Sequence, residues 1–230
     1  MGMQESDSQK IKDRESDFTP LVIIAGLMAC FYIMSNVMSV KIIGGWGHAI
    51  VDAGTLTFPL TYILGDIISE IWGFKTARKI ILVTFICNII FVASTLLVVF
   101  IPSPSYLAES ADAYNLVFGA VPRIIAGSLC AYLVGELTNA WLLIKIRKLT
   151  KGRFLWMRTI GSTAVGYMLD TLIFCTIAFA GTVKTRDLFI IMAVNYIVKM
   201  TVETFIGTPI CYAVCGFLRR RYPKYKLIVD

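Results

Sequence analysis

The sequence predicts an all-α integral membrane protein with six transmembrane helices, and three observations lead to this prediction. Of the 230 residues, 57% are hydrophobic and the mean hydropathy is +0.74, whereas a soluble domain is roughly half apolar. The apolar residues form runs of about 20 residues or more, which is the length that crosses a bilayer. The basic residues are concentrated in alternate connections between these runs, as in membrane proteins of fixed orientation.

Six apolar runs are long enough to cross the membrane. They cover residues 19–40, 55–73, 78–101, 119–143, 157–180 and 188–217. The second and sixth runs contain Pro59 and Pro209, and a proline bends a helix because it frees the carbonyl four residues earlier. The sixth run has about 30 residues, so we expect it to tilt, to bend near Pro209 or to extend into water.

Lysine and arginine residues indicate the orientation of these runs. Seventeen of the 22 lie on one side of the predicted membrane, within residues 10–14, 75–79, 145–158 and 219–226. The opposite loops hold only three: Lys41, Lys184 and Arg186. Positive charge stays on the cytoplasmic side, so both termini are predicted to be cytoplasmic. Residues 1–18 are then a polar cytoplasmic tail, too acidic for a signal peptide, and residues 219–230 are a basic one.

Several other classes of protein are excluded by the sequence. The net charge of +7 does not indicate nucleic acid binding, because the basic residues lie between the membrane runs. The six cysteines fall inside apolar runs without CxxC spacing, and Cys211 and Cys215 have no histidine near them, so neither a disulfide framework nor a metal site is predicted. No Walker lysine, HExxH, GxSxG or nucleotide-binding motif is present. We therefore predict a protein that is not an enzyme and that needs no cofactor.

Charged residues inside the runs are the strongest functional signal. Five are acids and two are bases, namely Asp66, Glu70, Glu136, Asp170 and Glu203 with Arg123 and Lys199. Each charge at mid-bilayer costs on the order of 2.5–3.5 kcal/mol on insertion scales, so such residues normally face partners, water or a solute. Lys199 and Glu203 are four apart on one helical stripe and are predicted to pair. Three carboxylates still lack a cation, and they either take up protons or hold a cationic or donor-rich solute.

Longer motifs resemble a known family. The stretch from Thr55 to Gly73 (TLTFPLTYILGDIISEIWG) closely resembles the second-helix signature of the queuosine precursor transporter family, also called the vitamin uptake transporter family. Further similarities, spread over residues 19–218, are Ser35-Asn36 with Lys41, Arg123, Ala131-Tyr132, Leu169-Asp170-Thr171, and the spaced set Asn195, Tyr196, Lys199, Glu203 and Pro209. One departure is Glu136 with Asn139, where the family commonly has Gln and Asp.

This resemblance implies a multi-pass transporter of the bacterial inner membrane, with residues 19–218 as its transmembrane domain. The implied solutes are 7-deazaguanine bases used in tRNA modification: 7-cyano- and 7-aminomethyl-7-deazaguanine, or queuine. The implied fold is similar to the substrate-binding subunits of energy-coupling-factor transporters. One alternative is therefore a subunit of a multi-component vitamin uptake complex energised by a separate ATPase, although the family is generally taken to work without such a module. The resemblance leaves open whether the protein forms a homo-oligomer and what drives the transport.

The resemblance also fits the chemistry of the polar residues. A 7-deazaguanine offers its N1–H and 2-amino group as adjacent donors for one carboxylate, and its O6 accepts from Asn, Arg or Lys. The residues predicted to bind the solute are Asn36, Phe58, Asp66, Glu70, Arg123, Asp170, Asn195, Tyr196, Lys199 and Glu203. Asp66 and Asp170 are predicted to accept the donor edge, because they hold the same position in the two three-helix halves and carriers with inverted repeats bind solute between the halves.

Overall fold

The computed structural model of the protein describes residues 2–46, 49–118, 122–181 and 184–222. Helices dominate it. In chain order the elements are α1 (Gly2–Met38), β1 (Ile42–Trp46), β2 (Ala49–Asp52), α2 (Phe58–Val99), α3 (Ala108–Phe118), α4 (Pro122–Leu149), α5 (Leu155–Phe179), α6 (Thr185–Val202) and α7 (Thr208–Arg221). Short 3-10 turns occupy Ala53–Leu56 and Ser105–Leu107, and a π-helical turn occupies Glu203–Gly207. The first helix begins at Gly2, so the polar segment 1–18 predicted as a tail is largely helical.

A small hairpin is the one exception to the all-α prediction among the described residues. Strands β1 and β2 pair antiparallel, with Ile42 opposite Asp52, and they connect α1 to the 3-10 turn before α2. The sequence predicts a Gly-rich external loop here, and its residues Gly47 and His48 lie outside the described part of the chain. We call the end of the bundle that carries this connection the hairpin end, and the opposite end, which carries residues 147–158 and 219–221, the basic end.

Helix α2 reverses direction at Gly73. This residue has φ 77° and ψ 171°, a conformation that is essentially restricted to glycine, and it interrupts the helical backbone. The Phe58 ring lies 6.4 Å from the Tyr32 ring, and Asn88 bonds to Asn36, one turn further along α1. In a straight helix Phe58 and Asn88 would be about 45 Å apart. Both ends of this stretch reach the same level of α1, so α2 consists of two antiparallel segments.

Within the described part of the chain, five segments are long and apolar enough to cross a membrane. They are Phe18–Met38, Ala53–Val99, Ala126–Leu149, Leu155–Phe179 and Leu188–Arg221. The second contains 47 residues and covers the second predicted run and all but the last two residues of the third. The last contains 34 residues, and the π-helical turn Glu203–Gly207 lies just before Pro209, near the predicted bend.

The distribution of side chains is the reverse of that in a soluble protein. Large apolar groups face outward, with Phe100 81% and Phe205 75% exposed. Polar and acidic groups face inward, and Asp66, Glu136 and Glu203 are 0% exposed. Polar groups turn away from lipid because hydrocarbon cannot hydrogen-bond them. The chain is therefore a multi-pass α-helical membrane protein.

Candidate functional site

A polar cavity lies inside the bundle toward the hairpin end. Its walls come from the end of α1, the 3-10 turn at Ala53–Leu56, and α2, α4, α5 and α6. The lining residues are Ser35, Asn36, Ser39, Gly54, Thr55, Phe58, Ser128, Asp170, Phe174 and Lys199. The empty space measures about 340 Å³ including the part open to solvent, and the part that admits water inside it measures about 30 Å³. This narrow part holds about two water molecules.

One wall of the cavity is formed by an amide and a hydroxyl. The Asn36 amide nitrogen donates to Asn88 Oδ1 at 3.0 Å, and the Ser128 hydroxyl donates to Asn36 Oδ1 at 2.6 Å. These two bonds join α1 to the second segment of α2 and to α4. They fix the rotamer of Asn36 and place mixed donor and acceptor groups at the cavity surface.

The opposite wall contains a buried ion pair. Lys199 Nζ donates to Asp170 Oδ2 at 2.6 Å, and the two side chains are 8% and 3% exposed. The same ammonium lies 4.5 Å from the centre of the Phe58 ring, within the range of a cation–π contact. The cavity therefore combines a carboxylate, an ammonium and an aromatic face.

The predicted pairing of Lys199 with Glu203 is wrong, because Lys199 pairs with Asp170 on a neighbouring helix. Side chains in a helix lean toward its N-terminus. Lys199 therefore reaches toward the hairpin end, where Asp170 lies, and away from Glu203, which is one turn closer to the basic end. Glu203 instead accepts a hydrogen bond of 3.5 Å from the Tyr167 hydroxyl.

Asp66 lies outside the cavity lining, deeper in the bundle. Its carboxylate accepts from the Asn139 amide at 2.7 Å and from the Thr163 hydroxyl at 3.4 Å. Thr163 also lies 3.3 Å from Asn139 Oδ1, so the three side chains form one hydrogen-bonded group between α2, α4 and α5. Of the two aspartates predicted to meet the solute, the structure brings only Asp170 to the cavity.

Glu70 lies at the basic end in a cluster of arginines. Arg158 donates to both of its carboxylate oxygens, from Nε at 2.9 Å and from Nη2 at 2.6 Å, and Arg219 also donates to Oε1. Arg147 donates to the Glu70 backbone carbonyl at 2.7 Å and lies 3.9 Å from Oε2. The cluster ties together α2, α4, α5 and α7. Sequence reasoning had assigned these arginines to cytoplasmic loops, although Arg158 falls inside a predicted run.

Two more of the predicted residues, Tyr196 and Asn195, also lie away from the cavity lining. Tyr196 donates its hydroxyl to the Ala164 carbonyl at 3.3 Å, which joins α6 to α5. Asn195 is buried, and its Oδ1 has no hydrogen-bonding partner among the described residues. The side chain of Arg123 lies outside the described part of the chain.

Sequence reasoning missed six of the ten residues that line the cavity. Those not predicted as binding residues are Ser35, Ser39, Gly54, Thr55, Ser128 and Phe174. A weak signal was present, because Ser35 and Ser39 are small polar residues four apart in an apolar run and therefore share one helix face.

A row of aromatic rings continues from the cavity into the bundle. Tyr32 stacks on Tyr132 at 3.9 Å between ring centres, and Phe58 lies 5.6 Å from Tyr62. Tyr62 in turn lies 4.4 Å from Tyr167. The row runs from Phe58 in the cavity lining to Tyr167, which bonds to Glu203, so the interior contains two polar zones connected by aromatic rings.

These features define a class of protein: a multi-pass α-helical membrane protein with a charged internal cavity near one end of the bundle. The chain belongs to the family described as "Putative vitamin uptake transporter", whose model matches residues 52–214. The match includes both segments of α2 and most of the cavity-lining residues.

Three curated relatives are similar over most of their length. A "Probable queuosine precursor transporter" of Bacillus subtilis is 29% identical over 184 residues, which are 79% of this chain and 78% of the relative. A protein with the same description from Haemophilus influenzae is 30% identical over 174 residues, 73% of this chain and 70% of the relative. The "Queuosine precursor transporter" of Escherichia coli is 27% identical over 176 residues, 73% of this chain and 74% of the relative. No solved structure shows a significant match to this chain.

Proposed function

We propose that this protein imports queuosine precursors, which are 7-deazaguanine bases, across the bacterial inner membrane. The observation that carries the proposal is the cavity in which the Asp170–Lys199 pair lies against the face of Phe58. The names of the three relatives support the same solute class.

The chemistry of the cavity fits a planar, donor-rich heterocycle. The Asp170 carboxylate can accept from N1–H and the 2-amino group, while Lys199 or Asn36 donates to O6. Phe58 and Phe174 offer ring faces for stacking. A site built to hydrogen-bond such donors rejects analogues that lack them, because its own polar groups are then left unpaired.

The narrow cavity also fits a carrier. Its water-admitting part of about 30 Å³ is too small for a bicyclic base, so the lining helices must separate before the solute enters. Transporters bind solute between helices that move relative to one another, which makes a tight substrate-free cavity an expected state.

We propose six membrane crossings, with residues 1–18 and 219–230 on the cytoplasmic side. A straight helix of 47 residues would be about 70 Å long, roughly twice the thickness of the hydrocarbon core. The reversal at Gly73 divides this segment into two crossings. The excess of basic residues then places the basic end in the cytoplasm, so the cavity opens to the outside.

Uptake in cells tests the proposal. The host is a bacterium that can neither synthesise queuosine precursors nor import them, and the readout is queuosine in its tRNA after labelled 7-cyano-7-deazaguanine is supplied. Cells that express the wild-type chain are expected to make queuosine. Failure of folded, membrane-inserted protein to restore it would refute the proposal, and restoration only with a co-expressed ATPase module would favour the multi-component alternative.

Two variants connect the uptake to the cavity. Asp170→Asn replaces an acceptor with a partial donor, which should cost about 1–3 kcal/mol and weaken affinity about ten- to hundredfold. Phe58→Leu changes no charge and should also weaken binding by removing a stacking face. The control is Glu109→Gln, because Glu109 is an exposed acid on α3 and is not one of the residues that line the cavity. Near wild-type affinity in both cavity variants would exclude this cavity as the solute site.

A further inference from the structure

Beyond the cavity, three buried acids have no basic partner among the described residues. Asp66, Glu136 and Glu203 lie on α2, on α4 and in the π-helical turn, and all three are 0% exposed. Within the described part of the chain, none of them forms an ion pair with lysine or arginine. The nearby cations are engaged elsewhere, since Lys199 bonds to Asp170 and the arginines of the basic end surround Glu70.

Glu136 is the least satisfied of the three acids. Neither of its carboxylate oxygens has a hydrogen-bonding partner among the described residues. The backbone makes room for this carboxyl, because a Cβ added at Gly65 of α2 would overlap Glu136 Oε1. Asp66 is held by Asn139 and Thr163, whereas Glu203 has only one long bond.

The Tyr62 hydroxyl is a second buried polar group without a partner in the described part of the chain, and it also indicates a ligand near Glu136. The Tyr62 hydroxyl is completely buried, has no partner among the described residues, and lies against the backbone of Gly135, next to Glu136. The Asp170 side chain, which lines the cavity, lies against the same glycine. Tyr62 therefore lies between the solute cavity and the inner acids.

The surroundings of Glu136 determine which ligand fits. The acids that interact with it electrostatically are Asp66 on α2, Asp170 on α5 and Glu203 in the π-helical turn, and the phenols that do so are Tyr62, Tyr132 and Tyr167. No group of three acidic, cysteine or histidine side chains in the described residues is close enough to hold a metal ion. An uncompensated charge in the bilayer interior is costly. The smallest cation, a proton, is the ligand that neutralises such a carboxyl without needing further ligands.

We propose that Glu136, together with Asp66 and Glu203, is the proton-binding site that couples solute uptake to proton entry. The inference rests on the proposed function. A proton from the outer solution binds the Glu136 carboxylate. The carrier then changes from outward-open to inward-open with the neutral carboxylic acid and the solute inside it, and the proton is released to the cytoplasm. Tyr62 links this protonation to the solute because it contacts both zones.

The experiment uses the purified full-length chain in proteoliposomes, with the membrane potential clamped by potassium and an ionophore. The probe is labelled 7-cyano-7-deazaguanine. With an outside that is one pH unit more acidic than the inside, one coupled proton allows up to about tenfold accumulation. Counterflow exchange of labelled for unlabelled solute at equal pH is measured in parallel, because exchange does not require release of the proton.

The decisive variant is Glu136→Gln, whose amide has the shape of the protonated acid but cannot release a proton. It should retain counterflow, which also shows that it folds, and lose accumulation driven by the pH gradient. Glu203→Gln has the same expectation and is the second variant if Glu136→Gln is not recovered as folded protein. The control Glu109→Gln makes the same change on the exposed face of α3 and should accumulate solute like the wild type.

Each other outcome overturns a specific statement. Wild-type counterflow without a response to the pH gradient, or accumulation driven by a sodium gradient instead, refutes proton coupling while the proposed function stands. Gradient-driven accumulation that persists in Glu136→Gln refutes the role of Glu136, and persistence in Glu203→Gln as well refutes a proton site on these acids. Absence of counterflow in the folded wild-type chain refutes the proposed function itself.

Discussion

Replacement of Glu70 by Gln tests whether the arginine cluster holds the basic end together. The carboxylate is 0% exposed, and its partners Arg158, Arg147 and Arg219 have side chains 2%, 9% and 29% exposed. In the variant, Arg158 keeps its bonds to the Gly152 and Arg153 carbonyls but loses the counter-ion for both of its contacts to Glu70. Removal of one partner from a buried pair costs about 3–5 kcal/mol, because the other charge is left uncompensated.

Arg219, the most exposed arginine of the cluster, provides a comparison in which a smaller loss of stability is expected. Arg219→Gln removes a partner that water already reaches, and Glu70 keeps its two bonds from Arg158, so the expected loss is about 0–1 kcal/mol. By contrast, the double variant Glu70→Gln, Arg158→Met should be more stable than Glu70→Gln alone, since it removes one of the stranded guanidinium groups.

The assay is the melting temperature of detergent-purified protein, followed as the fraction that stays monodisperse after heating. For a chain of this size, about 3–5 kcal/mol corresponds to a decrease of about 6–20 °C for Glu70→Gln, and Arg219→Gln should decrease by about 4 °C or less. Equal melting of Glu70→Gln and the wild type would refute the reasoning, as would a double variant that is less stable than Glu70→Gln.

Two further predictions concern the reversal in α2 and the ion pair of the cavity. Gly73→Ala should destabilise the protein by about 1–3 kcal/mol through backbone strain alone, since nothing lies within 4 Å of the added Cβ. Gly216→Ala should be neutral or stabilising, because its added Cβ also meets nothing within 4 Å and its backbone is helical. The melting temperatures of both variants test this difference. Lys199→Met should lower both stability and solute affinity because it strands Asp170, and adding Asp170→Asn should restore melting but not binding. Recovery of binding in this double variant would contradict a role for the pair in solute recognition.

Much of the fold is predictable because the length of an apolar run in the sequence indicates a helix that crosses the membrane. The predicted runs 55–73 and 78–101 coincide with the two segments of α2, and Gly73 ends the first of them. The hairpin β1–β2 was not predicted, because the Gly-rich residues 42–52 lack the alternation of apolar and polar residues that indicates strands. Its pairing depends on the positions of α1 and α2, which no local pattern contains.

The site is less predictable than the fold, since its partners lie on different helices. Spacing along one helix identifies neighbours such as Lys199 and Glu203, but the actual partner of Lys199 is 29 residues away. Arg219 and Glu70 are 149 residues apart and still bond to each other. A single sequence places charged residues at a depth in the membrane, whereas their partners depend on how the helices pack.

The predicted excess of interior acids over interior bases is still found, although the ion pairs differ from those predicted. The sequence predicted that five interior acids would face too few bases and that three would remain without a cation. Among the described residues, Asp170 pairs with Lys199 and Glu70 pairs with arginines that enter from the basic end, which leaves Asp66, Glu136 and Glu203 without a basic partner. Arginine reaches Glu70 because the basic end is close to water, where a guanidinium can be inserted at low cost. The three remaining acids are fully buried, and a proton is the cation that we propose as their partner, because it neutralises a buried carboxylate without needing a second side chain.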